Sequence, residues 1–347
     1  MSKLSANEAK TKKRVKALKE IFTGSGSLLI VMQNNPDPDS IGAAMALRCF
    51  ANKIGLSCSI VHGGSVGRAE NRAMVRYLGL NLRQISEVDP ARFDHISLVD
   101  TQPQTGNNSL PCELKPDIVI DHHPCRHTTR SCRFIDVRSH YGSCSTILFE
   151  YLREAKIEID TQLATALVYA IRSDTQDLGR EACKMDITAI QALYPIANLK
   201  MLSDIQRGRV ERVYFKMLAK ALTNAVACDR CIITNLGDIT NADMIAEVAD
   251  LLLRDDKAVW TLCYGFLDGQ MLLSIRTSEN GKKAGDIMKR VVSRFGTGGG
   301  HDTMAGGQIS MLKGDKKRKK TDIEDKVRRR FLKNIGISPA KCEKLLA

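Results

Sequence analysis

Through its first half the chain alternates short apolar runs with helix-like stretches. That alternation restricts the fold to an α/β class: a mostly parallel sheet with helices on both faces. Residues 28–33 (LLIVMQ), 59–62, 95–99 and 117–120 have the length and partly β-branched make-up of buried strands. Residues 40–54, 68–80, 144–153 and 162–173 read as helices, with Ser40 placed to cap the first and Gly79 to close the second. From 182 to 222 apolar residues recur at three- and four-residue spacing, as at Ile187, Ile190 and Leu193, which predicts helices throughout. A second unit begins near Ala227. It reads as a strand over 231–236, a helix over 242–254, a hairpin of 258–266 and 271–276 turned at Asp268–Gly269, a helix over 284–295, a glycine-rich loop and a last strand over 308–311. The expected organisation is therefore a first α/β domain over 1–195, a helical connector over 196–226 and a smaller α/β domain over 227–347 with a basic C-terminal tail.

Charge narrows the partners. Lys and Arg number 52 against 39 Asp and Glu, a net charge of +13 in 347 residues, which favours anionic ligands such as nucleotides or nucleic acid. Residues 313–333 alone hold eleven basic and four acidic residues. No apolar run approaches the roughly 18 residues of a membrane helix. The basic N-terminal residues have no apolar stretch behind them, so export is not expected and a cytoplasmic location is. Eleven scattered cysteines, an odd number, predict reduced thiols; the pair Cys228 and Cys231 lacks the partners a zinc site needs.

The acidic residues of the first domain fall just after the expected strands. Asp37 and Asp39 follow the first, Asp100 follows 95–99, Asp121, His122 and His123 follow 117–120, and Asp174 ends the helix through LATALVYAIRS. An Asp after a strand often serves only as a cap or turn residue. Four distant segments repeating the pattern is different, because a parallel sheet gathers its carboxyl ends on one edge, where ligands bind. Carboxylates crowded there repel one another, and divalent cations relieve the repulsion. An oxygen-rich set with imidazole suits Mn²⁺ or Mg²⁺. A pair of such ions is a standard device for phosphoester hydrolysis. In the second domain, GTGGGHDTMAGG (296–307) lets main-chain N–H groups approach an anion, and Arg276 at a strand end is placed to fork a phosphate.

NPDPDSIG (35–42), LVDT (98–101), DHHP (121–124), IRSDT (171–175) and GGGHDTMAGG (298–307) stand here in an order that resembles the DHH phosphoesterases. The likeness spans residues 27 to 312 and is greatest to the small two-domain, RecJ-like subgroup with a DHH-associated C-terminal domain. That subgroup includes nano-RNA phosphodiesterases and phosphatases of 3′-phosphoadenosine 5′-phosphate (pAp). The resemblance implies that Asp37 ligates one metal ion and Asp39 the other. Asp100 would bridge them, and His122 and Asp174 would complete the second site. His123 would lie beside the phosphate or leaving group, with Asp121 orienting its neighbours. Arg276, Gly299, Gly300, His301, Gly306 and Gly307 would hold the substrate. The implied cofactor is Mn²⁺, with Mg²⁺ or Co²⁺ as substitutes, two ions in all, and the implied assembly is a homodimer. Two positions depart from the pattern. Gln33 stands where the small members carry His, four residues before Asp37, and an amide oxygen is a weaker ligand than imidazole. No Glu lies near Thr146.

The leading expectation is a metal-dependent phosphoesterase acting on short RNA or DNA oligonucleotides, linear dinucleotides or nucleotide phosphates such as pAp. Gln33 and the basic tail motivate a rival, a non-catalytic nucleotide or nucleic-acid binding protein with a degenerate metal site. A single-strand exonuclease is a third expectation, weakened by the short chain.

Overall fold

The computed structural model describes residues 3–22, 26–279, 281–300, 302–313, 316–317, 319–338 and 342–346. The chain forms two compact units, Met1–Arg209 and Val210–Ala347. The first contains, in order, α1 (Lys3–Ile21), β1 (Gly26–Val31), α2 (Pro38–Lys53), β2 (Leu56–His62), α3 (Ala69–Tyr77), β3 (Arg83–Gln84), β4 (His95–Val99), β5 (Ile118–Asp121), β6 (Phe134–Val137), α4 (Cys144–Glu154), α5 (Thr161–Asp174), α6 (Lys184–Leu193) and α7 (Leu199–Gln206).

Its six strands are parallel and ordered β3-β2-β1-β4-β5-β6. The order reverses direction between β1 and β4, so a cleft opens at the carboxyl ends of those two strands. The expected parallel α/β class is what forms. Alternation along β1 divides the core: Leu28 and Ile30 face a large cluster built with helical side chains such as Leu47, Leu167 and Leu148. Leu29 and Val31 face a smaller cluster closed by Ile85, Val88, Phe93, Leu110 and Leu114. Ile85, Val88 and Phe93 come from the β3-to-β4 connection, which carries 3₁₀ turns, and Leu110 and Leu114 from the β4-to-β5 connection; neither connection carries an α-helix.

Gly42 explains how α2 sits so close to its neighbours. A Cβ there would lie 2.7 Å from the Ala170 methyl of α5 and 2.9 Å from Ser145 Oγ of α4. The small residue lets α2 nest between two helices, and this close approach brings the start of α2 against the start of α4.

The second unit contains α8 (Arg212–Asn224), β7 (Val226–Cys228), β8 (Cys231–Asp238), α9 (Asp243–Leu252), β9 (Trp260–Leu267), β10 (Gln270–Thr277), α10 (Ala284–Val292), β11 (Gly296–Gly300), β12 (Met304–Ser310), β13 (Leu312–Lys313), β14 (Lys316–Lys317), α11 (Lys320–Ile335) and β15 (Cys342–Lys344). Seven strands form one sheet in the order β11-β12-β10-β9-β8-β7-β15. The β9–β10 hairpin turns at Asp268 and Gly269, both with positive φ (47° and 73°), as its Asp-Gly pair requires. Of the stretch 196–226, α7 packs in the first unit and α8 in the second.

Three expectations need correction here. The glycine-rich segment is not a loop: residues 296–300 pair with 305–309 as an antiparallel ladder, and the last expected strand is the end of β12. Glycine has low strand propensity, but α10 packs so closely on Gly298 and Gly307 that side chains there would meet Met288. The basic tail is largely a packed helix: Ile323, Val327, Phe331 and Leu332 of α11 are buried in the second unit. Lys320 is paired with Asp238 at 2.5 Å, and Arg330 donates to the Ser293 carbonyl at 2.7 Å. Not all cysteines are reduced either, since Cys228 of β7 is bonded to Cys342 of β15, 114 residues away. Neighbouring antiparallel strands bring them together, whereas sequence spacing points only to Cys231.

Replacing Gly42 by Ala forces α2, α4 and α5 apart. Urea unfolding should show a loss of about 1–3 kcal/mol, the usual cost of overpacking. Gly299→Ala, where a Cβ meets nothing within 4 Å, should change stability by less than about 0.5 kcal/mol.

Candidate metal centre

Each acidic residue of the first unit is set by the local chain. After β1 the backbone turns through Asn35 in the left-handed region (φ 55°). Asp37 then caps α2, its Oδ1 accepting from the Ser40 N–H at 2.9 Å. Its Oδ2 accepts from Nε2 of Gln33 at 2.7 Å. Asp39, in the first turn of α2, is buried against the start of α4. The N–H groups of Cys144 and Ser145 donate to its two oxygens at 2.7 and 2.9 Å. A helix N-terminus suits a carboxylate because its first N–H groups have no partners within the helix and carry a partial positive charge.

Asp100 follows β4 in left-handed backbone (φ 58°), buried, and its Oδ1 has no hydrogen-bond partner. Asp121 ends β5 and is saturated with donors. Its Oδ1 accepts from the N–H groups of His122 (2.8 Å) and His123 (3.2 Å) and from His123 Nδ1 (2.9 Å), and its Oδ2 accepts from Gln102 Nε2 (2.6 Å). It orders the two histidines and faces no open space.

His122 is the hinge of the cluster. Its Nδ1 lies 3.2 Å from the Tyr141 carbonyl, which can only accept, so in the neutral ring Nδ1 carries the proton and Nε2 the lone pair. That lone pair sits 3.2 Å from Asp174 Oδ2, 3.5 Å from Asp100 Oδ1 and 3.9 Å from Asp39 Oδ2. Acceptors turned on one another repel unless a cation or protons lie among them. Ligand atoms of Asp39, His122 and Asp174, and of Asp100, His122 and His123, fall within 4.8 Å of one another. The orphaned Asp100 oxygen, the directed imidazole lone pair and the mixed O/N donor set fit a divalent cation such as Mn²⁺.

The electrostatics agree. Burial, then the charges of Asp37, Asp39, Asp121 and Asp174, push the Asp100 carboxyl well above its ordinary pKa. Burial likewise raises Asp174, with Asp39 and Asp37 adding to it, and raises Asp39 against the lowering charge of His122. Asp121 goes the other way. Burial opposes its charge, but the hydrogen bond and charge of His123 outweigh it. His123 rises in return, its burial outweighed by Asp121.

Several supporting groups escape a reading of motifs. The loop holding the Tyr141 carbonyl is fixed by buried Arg138, which pairs with Asp136 at 2.7 Å and Glu150 at 2.6 Å; the Tyr141 hydroxyl donates to Glu150 at 3.0 Å. Thr11 of α1 donates to the same Glu150 at 2.8 Å, so α1 braces the loop. The stretch 142–147 has no Glu, and buried Asp186 of α6 accepts from the Thr146 hydroxyl at 2.5 Å and the Gly142 N–H at 2.9 Å. After Asp174 the chain turns through Gln176, Asp177 and Leu178, all left-handed, and Arg180 Nη2 returns to the Asp174 carbonyl at 3.1 Å.

In the second unit, Arg276 lies on β10 beside β12. Its Nε donates to Asp250 of α9 at 2.5 Å and its Nη1 to Ser274 Oγ at 2.8 Å. It lines a cleft of about 370 Å³ with Ile245, Leu272, Met304, Gly300, Gly306 and Gly307. The glycines divide by face: Gly298 and Gly307 lie against α10, whereas a Cβ on Gly299 or Gly306 meets nothing within 4 Å. His301 lies outside the described residues. The structure thus gathers Asp37, Asp39, Asp100, Asp121, His122, His123 and Asp174 in one unit, and Arg276, Gly300, Gly306 and Gly307 around a cleft in the other; Gly299 lies on the adjoining strand.

Comparison with known proteins follows the same division. The N-terminal domain of the DHH family matches residues 27–171, and the DHHA1 domain matches residues 226–332. An uncharacterised protein of Methanocaldococcus jannaschii is 34% identical over 316 residues, covering 89% of this chain and 64% of its own length. A probable manganese-dependent inorganic pyrophosphatase of Lactobacillus gasseri is 28% identical over 173 residues, 49% of this chain and 55% of that protein. The chain therefore spans less than two thirds of the length of these relatives. The crystal structure of an exopolyphosphatase-related protein from Bacteroides fragilis shares the fold, with a TM-score of 0.74 at 13% identity over 93% of this chain and 96% of that one. Among the described residues no helix is long and apolar enough to cross a membrane.

Because the folded pKa values of Asp39, Asp100 and Asp174 are raised, stability from these groups is present below the ordinary aspartate pKa. It is lost as pH rises towards the folded values. In chelator the melting temperature should therefore fall as pH is raised above the ordinary aspartate range, and the rise produced by Mn²⁺ should be larger at the higher pH. Asp100→Asn, which suits left-handed backbone, should raise the melting temperature in chelator by roughly 2–4 °C and shrink the Mn²⁺ response. Differential scanning fluorimetry reads both.

Proposed function

We propose that this chain, which carries a DHH-family N-terminal domain followed by a DHHA1 domain, is a metal-dependent phosphoesterase acting on nucleotide phosphates and short oligonucleotides. The observation that carries the reading is the set of carboxylate oxygens from Asp39, Asp100 and Asp174 gathered within 3.9 Å of His122 Nε2, an arrangement that a divalent cation would stabilise. Similarity to manganese-dependent pyrophosphatases supports Mn²⁺ as that cation. Bound there, a divalent ion would supply hydroxide at neutral pH and screen the phosphoryl charge.

The protein's own groups do the rest. Asp39, Asp100, His122 and Asp174 hold the ion. Asp121 fixes the His122–His123 turn and raises the His123 pKa, which favours the form that can donate to a phosphoryl or leaving oxygen. In the second unit Arg276, steadied by Asp250 and Ser274, offers a fixed positive charge to phosphate. The apolar walls of its cleft, Ile245, Leu272 and Met304, suit a nucleoside. Those walls favour a nucleotide over pyrophosphate, which has nothing apolar to bury. The pyrophosphatase relatives motivate inorganic pyrophosphate as a second reading.

A panel of pAp, pApA and pyrophosphate with Mn²⁺ tests the proposal. The nucleotide substrates should show the higher kcat/KM. Asp100→Ala should lower activity by about 10³-fold or more, in the range seen when a group central to transition-state stabilisation is removed. Arg276→Ala should raise KM for pAp at least tenfold. Turnover that persists in chelator and in Asp100→Ala would overturn the reading; a preference for pyrophosphate would move it to the second.

A further inference from the structure

We propose that the first unit is a one-ion centre. In it the Gln33 amide N–H takes, on Asp37, the place a second divalent cation would fill. The inference rests on the metal reading above and concerns how many ions the acidic cluster accepts.

The two halves of the cluster are built differently. Around His122, carboxylate oxygens of Asp39, Asp100 and Asp174 point at an imidazole lone pair, and Asp100 Oδ1 has no donor at all. Acceptors there outnumber donors, which is the condition for a cation. Around Asp37 the acceptors already have donors. Oδ1 takes the Ser40 N–H, and Oδ2 takes Gln33 Nε2 at 2.7 Å. Neither group of close ligand atoms found in the cluster includes Asp37.

The direction of the Gln33 amide follows from chemistry. An ionised carboxylate only accepts, so beside Asp37 the amide must present its NH₂ edge and turn its carbonyl oxygen away. A cation seated on Asp37 Oδ2 would meet that NH₂, which carries partial positive charge. Admitting the ion requires the amide to flip and a charge-assisted hydrogen bond to break, and the ligand gained is a neutral oxygen. Breaking that bond alone lowers affinity by roughly ten- to a hundredfold. Histidine at the same position would behave oppositely, since an imidazole can offer a lone pair to an ion without first surrendering a bond to Asp37. The amide thus neutralises part of the Asp37 charge permanently, and the remaining carboxylates are left with one ion to share.

The test is metal content, independent of turnover. Chelated protein is equilibrated with excess Mn²⁺ and desalted. Bound manganese is measured by inductively coupled plasma mass spectrometry, and its electron paramagnetic resonance spectrum is recorded. The wild type should hold one ion per chain with the six-line signal of an isolated Mn²⁺. Gln33→His should hold two and show the broadened signal of a coupled pair. Gln33→Ala, which removes the donor without adding a ligand, should keep the first ion, as expected if the amide is not its ligand; loss of that ion with the fold intact would overturn the proposal. Two ions in the wild type, or one in Gln33→His with its fold intact by circular dichroism, would overturn the proposal while leaving the phosphoesterase reading in place. No bound manganese in any variant would overturn both.

Discussion

Acceptors gathered without enough donors govern this molecule. Asp39, Asp100 and Asp174 are brought within about one ligand sphere of His122 Nε2, and each carboxyl pKa is forced upward. Left empty, such a pocket opposes the fold that creates it. The surrounding structure therefore has to be rigid, and its rigidity comes from parts that have no chemical role of their own. The start of α4 clamps Asp39, the sheet fixes Asp100 and Asp121, and the buried Arg138–Asp136–Glu150 network holds the loop whose carbonyl sets the His122 tautomer. Removing one partner from such a buried network is strongly destabilising, because the others keep their charge without compensation.

Much of this could be read in the amino-acid order. The strand-then-carboxylate pattern works because parallel strands share an edge, and that geometric fact turns four distant segments into one place. The reversal between β1 and β4 puts Asp37 and Asp39 beside Asp100. What lay beyond reach were contacts made by residues with no motif around them. Asp186 bonds Thr146 from 40 residues away, and Thr11 reaches Glu150 across 139. Neither leaves a local trace, because the partner is chosen by packing. The glycine-rich segment misled for a related reason. Its composition says loop, but the demand for bare backbone beneath α10 outweighs propensity and makes it a strand pair.

The second unit has its own logic of restraint. Several of its cationic groups are committed within the fold, among them Arg276 to Asp250, Lys320 to Asp238, and Arg330 to main-chain carbonyls. The excess of positive charge in the sequence is thus tempered locally, and α11 contributes apolar packing as much as charge. What remains for an anion is a guanidinium already oriented, which loses little side-chain freedom when a phosphate arrives.

The manner in which Asp39 is held has a consequence for tolerance to change. Its two oxygens are gripped by the main chain at positions 144 and 145, so the identity of the side chains there matters less than the presence of an amide hydrogen. The side chains are constrained separately, by complete burial and by the Ser145 hydroxyl, which donates to the Asp39 carbonyl at 3.2 Å. Proline fails on the first count, because it deletes the hydrogen itself; inserted there, it would loosen a carboxylate more than a hundred positions upstream in the chain.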